Sequence, residues 1–113
     1  MALAADRLAT IIQRELAGIV NNKVKDTQVG YINLTEVKVT KDQSYSTIYY
    51  TILSDDKTVI EKASKLLEEN KVSIRMDLAK KINNVRRIPD LIFKYDEALA
   101  YGNRIEDILK TLK

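Results

Sequence analysis

Apolar residues recur every three or four positions near the start of the chain. Leu8, Ile11, Ile12, Leu16, Ile19 and Val20 share one side, with Arg7, Gln13, Arg14 and Asn21 on the others. That spacing predicts an amphipathic helix. The stretch 23–30 loses the period and ends in Gly30, which predicts a loop. From Tyr31 to Thr40 the chain is β-rich, but its alternation slips: Ile32 and Leu34 fall on one face, Val37 and Val39 on the other. One extra residue near Thr35–Glu36, a β-bulge, restores a single apolar face. Lys41-Asp-Gln-Ser44 has turn chemistry. A second strand then runs from Tyr45 to Leu53, with Ile48, Tyr50 and Ile52 inward and Thr47, Tyr49 and Thr51 outward. So short a connection predicts an antiparallel hairpin.

Beyond the break at Ser54-Asp-Asp56, Thr58-Val-Ile-Glu61 has the form of a capping box and opens a second helix with the stripe Val59, Ala63, Leu66 and Leu67. Ile74, Leu78 and Ile82 mark a third helical run, joined to the second through Asn70-Lys-Val-Ser73. Ile88 to Tyr95 predicts a third strand, with Leu91 and Phe93 facing the core and Pro89 restricted to its start or to an edge. A last helix begins at Asp96 or Glu97 and carries Leu99, Ile105, Ile108, Leu109 and Leu112, weakened in its first half by Gly102. The predicted order is α-β-β-α-α-β-α. It describes one α+β domain over residues 1–113, with three strands in a mixed sheet and the helices packed on one face.

Composition narrows the chemistry. A chain of 113 residues, 45% hydrophobic and 31% charged, has the balance of a soluble globular domain. No apolar run approaches the ~18 residues that span a bilayer, and the start, Met1 to Asp6, lacks the basic and apolar regions of a signal peptide. The absence of cysteine fits a reducing compartment. With histidine also absent, the usual zinc ligands, nucleophile–base pairs and neutral-pH proton shuttles are missing. Asp55-Asp56 and Glu68-Glu69 are adjacent pairs, which point apart on a helix or strand. No glycine-rich phosphate loop occurs. The pattern predicts no enzyme, no metal site and no cofactor.

Charge is distributed unevenly. Between Lys71 and Lys94 stand seven basic residues (Lys71, Arg75, Lys80, Lys81, Arg86, Arg87 and Lys94) against Asp77 and Asp90 alone. The rest of the chain is slightly acidic, so a formal net charge of +3 hides one concentrated positive stretch. Such a concentration attracts polyanions, and nucleic-acid phosphate is the commonest of them. Arginine grips a phosphate with two parallel hydrogen bonds, which favours Arg75, Arg86 and Arg87. Lys23, Lys25 and Lys41, in loops, are secondary candidates. The competing reading for Arg86 and Arg87 is an ion pair with Asp77 or Asp90.

Several motifs, taken together and in order, resemble one family. They are Arg7-Leu-x-x-x-Ile-x-x-Glu-Leu-x-x-Ile19, Val24-Lys-Asp26, Val37-x-Val-x-x-Asp42-x-Ser-Tyr-Ser-x-x-Tyr-Tyr50, and Pro89-Asp-Leu-x-Phe93-x-x-Asp96 continuing to Gly102-x-Arg-Ile105. Over essentially its whole length the chain is similar to bacterial ribosome-binding factor A, a family with a type II KH-like fold. The resemblance implies a cytoplasmic, non-enzymatic assembly factor. Its partners would be the immature small ribosomal subunit (30S) and 16S rRNA, whose late maturation it promotes, often in connection with growth in the cold. No cofactor is implied. Family members usually carry an Ala-x-Gly kink between the two central helices, and the matching positions are Asn70, Lys71 and Val72. Valine suits a positive φ badly and asparagine well, so the bend moves to Asn70, or the two helices run together.

Two further expectations follow from the residues. Tyr45 and Tyr49 face outward and could stack on bases, although packing on a half-buried sheet explains tyrosine there more simply. The alternative function is a protein-interaction module whose basic face meets an acidic partner. A monomer is the default state for a domain of this kind.

Overall fold

The computed structural model describes residues 3–82 and 88–97. Within them the order is helix α1 (Leu3–Lys23), strands β1 (Asn33–Val39) and β2 (Tyr45–Thr51), helix α2 (Lys57–Lys81) and strand β3 (Asp90–Tyr95). The last predicted helix, with Leu99, Gly102, Ile105, Ile108, Leu109 and Leu112, lies outside the described residues.

The strands form one sheet in the order β1-β2-β3. β1 and β2 are an antiparallel hairpin and β2 and β3 are parallel, so α2 is the crossover that parallel neighbours require. The slipped alternation in β1 has the predicted cause. Register shifts between Leu34 and Glu36, and both Leu34 and Val37 are thereby buried. Thr35 is the bulged residue, and its hydroxyl donates to Asp96 Oδ2 at 2.6 Å, fastening the edge of the hairpin to the end of β3. Alternation is strict in β2, where Ser46, Ile48 and Tyr50 are buried and the residues between them are not. Both helices therefore lie on that one face, with Ile12, Leu16 and Val20 of α1 and Leu67, Ile74 and Leu78 of α2 completing the core.

In the middle of the chain the second alternative holds: the two helical runs join. One unbroken 25-residue helix replaces the predicted pair, and it passes through Asn70, Lys71 and Val72 without a bend in its hydrogen-bonding pattern. Among the described non-glycine residues only Gln43, in the hairpin turn, has a positive φ, so the left-handed kink expected at Asn70 is absent. Physical reasons are visible locally. Neither glycine nor proline interrupts the segment, and the buried stripe Ala63, Leu67, Ile74 and Leu78 keeps one period across it. Asn70 donates its side-chain amide to the Leu66 carbonyl one turn back, at 2.8 Å, which helical geometry permits. The N-terminus of α2 is corrected as well: Asp56, not Thr58, is the cap. Its Oδ1 accepts from the Thr58 N–H at 2.9 Å and from the Thr58 hydroxyl at 2.7 Å.

The loop between α1 and β1 is organised by two polar side chains. Asn21 closes a reciprocal pair with Ile32, accepting from its N–H and donating to its carbonyl, both at 2.8 Å. Asp26 Oδ1 accepts from the N–H groups of Gln28 and Val29, while Oδ2 meets Lys62 of α2 at 2.9 Å. Gly30 takes the positive φ of 65° that lets this loop turn into the sheet.

Candidate nucleic-acid interface

The basic residues predicted from sequence are divided by the fold into groups with different environments. At the C-terminal end of α2, Lys80 and Lys81 occupy the last turn. Both are exposed, and neither forms an ion pair among the described residues. Part of their placement has a local explanation, because cations near a helix C-terminus complement its partial negative charge. That effect stabilises the helix but leaves the ammonium groups free in solvent, available to an incoming polyanion.

Arg75, one and a half turns earlier, is engaged inside the molecule. Its guanidinium donates to the Ile88 carbonyl at 2.6 Å and stands 3.5 Å from Asp90 Oδ1. Nε is buried and has no hydrogen-bond partner among the described residues. Arg75, expected from sequence to meet phosphate, has an intramolecular role: this side chain clasps the entry to β3 against α2. Asp90 adds a second link at the same place, its N–H donating to the Ser44 carbonyl of the hairpin turn at 2.9 Å. The Ser46 hydroxyl donates to the Asp90 carbonyl at 3.2 Å. The hairpin turn, the start of β3 and the end of α2 are therefore neighbours, and exposed Lys41 belongs to that same end. Arg86 and Arg87, in the connection between α2 and β3, lie outside the described residues.

The remaining candidates are dispersed. Lys71 is half-buried and paired with Glu68 at 2.8 Å on its own helix. Lys23 reaches Asp77 at 3.1 Å and ties α1 to α2. That pair removes one of the two acidic groups of the basic stretch with a cation from outside it, and Arg75 partly neutralises the other. Lys25 is exposed in the loop after α1, beside a shallow hollow shared with Tyr31. Lys94 is not on the side of α1 and α2: it projects from the opposite face of the sheet, in register with Tyr49.

The titration of the carboxylates is structural in origin. Hydrogen bonding to Lys62 holds Asp26 below the usual aspartate range, helped by the N–H groups of Val29 and Gln28. Asp42 is lowered by Thr40 and Ser44 in the hairpin turn, and Asp56 by Thr58 at the helix cap. Burial pushes the Tyr50 hydroxyl upward. Each of these side chains has a role in closing a loop, a turn, a cap or the core. No described helix is long and apolar enough to cross a membrane. Among the described residues no group of three acidic side chains is arranged to hold a metal ion.

The family model for ribosome-binding factor A matches residues 4–109. The chain is 47% identical over 110 residues to ribosome-binding factor A of Phytoplasma mali, a match covering 97% of this chain and 96% of the relative. It is 38% identical over 110 residues to ribosome-binding factor A of Staphylococcus carnosus, covering 97% and 94%. The crystal structure of ribosome-binding factor A from Thermus thermophilus has the same fold, with a TM-score of 0.68 at 22% identity over 80% of this chain and 94% of that one. A homology model of the Thermus thermophilus protein, fitted into a cryo-EM map of a complex of 30S with ribosome-binding factor A, gives 0.66 at 20% identity over 79% and 91%.

Proposed function

The chain belongs to the ribosome-binding factor A family, and we propose that it binds the immature 30S subunit in the cytoplasm, contacts 16S rRNA, and promotes late small-subunit maturation without chemistry of its own. The observation that carries the reading is the basic end of the molecule in a chain so similar to named ribosome-binding factors. Lys80, Lys81 and Lys41 are exposed there around the clasp made by Arg75.

A rigid cationic end suits a non-catalytic role. Lysine ammonium groups neutralise phosphates, and the counterions released supply affinity that falls as salt rises. Such a protein acts on rRNA folding only through a preference for one conformer over another, so its binding energy shifts the population toward the form it fits. Arg75 contributes by holding the hairpin turn and the end of α2 in fixed relation, which keeps the separate cations in one geometry.

The test is co-sedimentation of the protein with immature and mature small subunits at low and moderate salt. Lys80→Glu/Lys81→Glu should weaken association by about tenfold or more, as expected when two phosphate contacts become repulsions. Lys57→Glu/Lys65→Glu, which changes the net charge equally at exposed positions near the other end of α2, should have little effect. Equal loss in both variants would reduce the interface to overall charge. Absence of association in the parent at low salt would refute the reading.

A further inference from the structure

The face of the sheet opposite α1 and α2, which no other described element covers, carries two aromatic rings outside the core. Tyr45 is 51% exposed, and Tyr49 points to the same side four residues later. On one strand that separation is roughly 13 Å. Thr47 lies between the rings, and Ile92, itself 36% exposed, is its partner on β3. Cations flank the second ring from both neighbouring strands. Lys38 of β1 places its ammonium 5.6 Å from the centre of the Tyr49 ring, and Lys94 of β3 is the direct register partner of Tyr49. Two carboxylates share this surface: Glu36, the β1 partner of Tyr49, and Asp90, the β3 partner of Tyr45, which Arg75 partly neutralises at 3.5 Å. The buried tyrosine makes the contrast clear: Tyr50 packs edge-on against Tyr95 at 5.9 Å in the core, as a structural aromatic should.

We infer that this face is a stacking platform for an unpaired stretch of RNA, with Tyr45 and Tyr49 taking bases and Lys38 and Lys94 taking the phosphates on either side. Aromatic faces accept any base, and flanking ammonium groups track the backbone, the combination that single-strand binders use. The sheet supplies rigidity, since β2 is the central strand and both cations come from strands hydrogen-bonded to it. The inference rests on the RNA-binding reading above and adds to it a second contact, on the side of the molecule away from Lys80 and Lys81.

The experiment measures fluorescence anisotropy of a labelled oligoadenosine octamer and of an abasic octamer of equal charge at low salt, beside the subunit co-sedimentation. The parent should bind the adenosine octamer about tenfold or more tightly than the abasic one, since only the first can stack. Tyr45→Leu/Tyr49→Leu should remove that preference, and Tyr45→Phe/Tyr49→Phe should keep it, because a phenyl face stacks as well. Lys80→Glu/Lys81→Glu should retain the preference. Equal affinity for the two octamers in a parent that still sediments with small subunits overturns the platform and leaves the family reading standing. Loss of both in the parent overturns both. A leucine variant that keeps the base preference but loses the subunits marks the face as a protein contact and also overturns the inference.

Discussion

Replacing Arg75 by methionine tests most directly how the structure revises the charge map. The substitution keeps the aliphatic stem and removes the guanidinium that clasps β3 to α2. Two contacts disappear. The bond to the Ile88 carbonyl, at 2.6 Å and part-buried, is charge-assisted, and such bonds contribute about 1.5–3 kcal/mol. The contact with Asp90 is long at 3.5 Å, with side chains 37% and 50% exposed, so solvent screening reduces it to about 0–1 kcal/mol. The expected destabilisation is therefore about 2 kcal/mol, nearly all of it from the carbonyl. With a urea m-value of about 1–3 kcal/mol/M for a small domain, the midpoint should fall by about 1 M. Asp90→Asn should move it by well under half of that. A double-mutant cycle between the two should show coupling of less than about 1 kcal/mol. An unchanged midpoint in Arg75→Met, together with a large loss of RNA affinity, would refute the clasp and restore Arg75 as a phosphate ligand.

Other consequences are simpler to check. Asp56→Ala removes the cap of α2 and should lower the thermal midpoint at neutral pH. Because the folded-state pKa values of Asp26, Asp42 and Asp56 lie below the ordinary 3.8, their stabilisation is fully present above that value and is lost as pH falls through the folded values. The deficit of Asp26→Asn should accordingly be complete at pH 7 and vanish in strong acid, as followed by urea titration at a series of pH values. Val72→Gly, at a position 71% exposed inside an unbroken helix, should cost about 1 kcal/mol of stability without raising RNA affinity. A gain in affinity would show that a bend there is useful. Gly30→Ala, at a φ of 65°, should cost about 1 kcal/mol, read from the same urea midpoint.

Much of the fold was legible in the chain because its signals are local. The apolar spacing of Leu8 to Val20 specifies a helix face, and the slip between Leu34 and Val37 specifies a bulge, since only an extra residue returns both to one side. The family motifs were equally legible, and several of their aspartates have structural roles. Asp26, Asp42, Asp90 and Asp96 each close a loop, a turn or a strand end. What could not be read locally was whether two helical runs with one stripe would join. Asn70 looks like a stop signal by itself, but its amide can be satisfied one turn back and the stripe on either side packs on the same core.

For the candidate site, the sequence by itself determined where the positive charge is concentrated. Tertiary structure decided which charges act together. Asp77 lies within the basic stretch yet pairs with Lys23, far away in sequence, and Arg75 reaches thirteen residues ahead to Ile88. Lys94, counted with the helix cations along the chain, is placed on the opposite side of the sheet beside Tyr49, because a strand alternates its side chains between faces. Proximity along the chain sets local charge density, but the crossover from β2 through α2 to β3 brings distant partners together and sends neighbours apart.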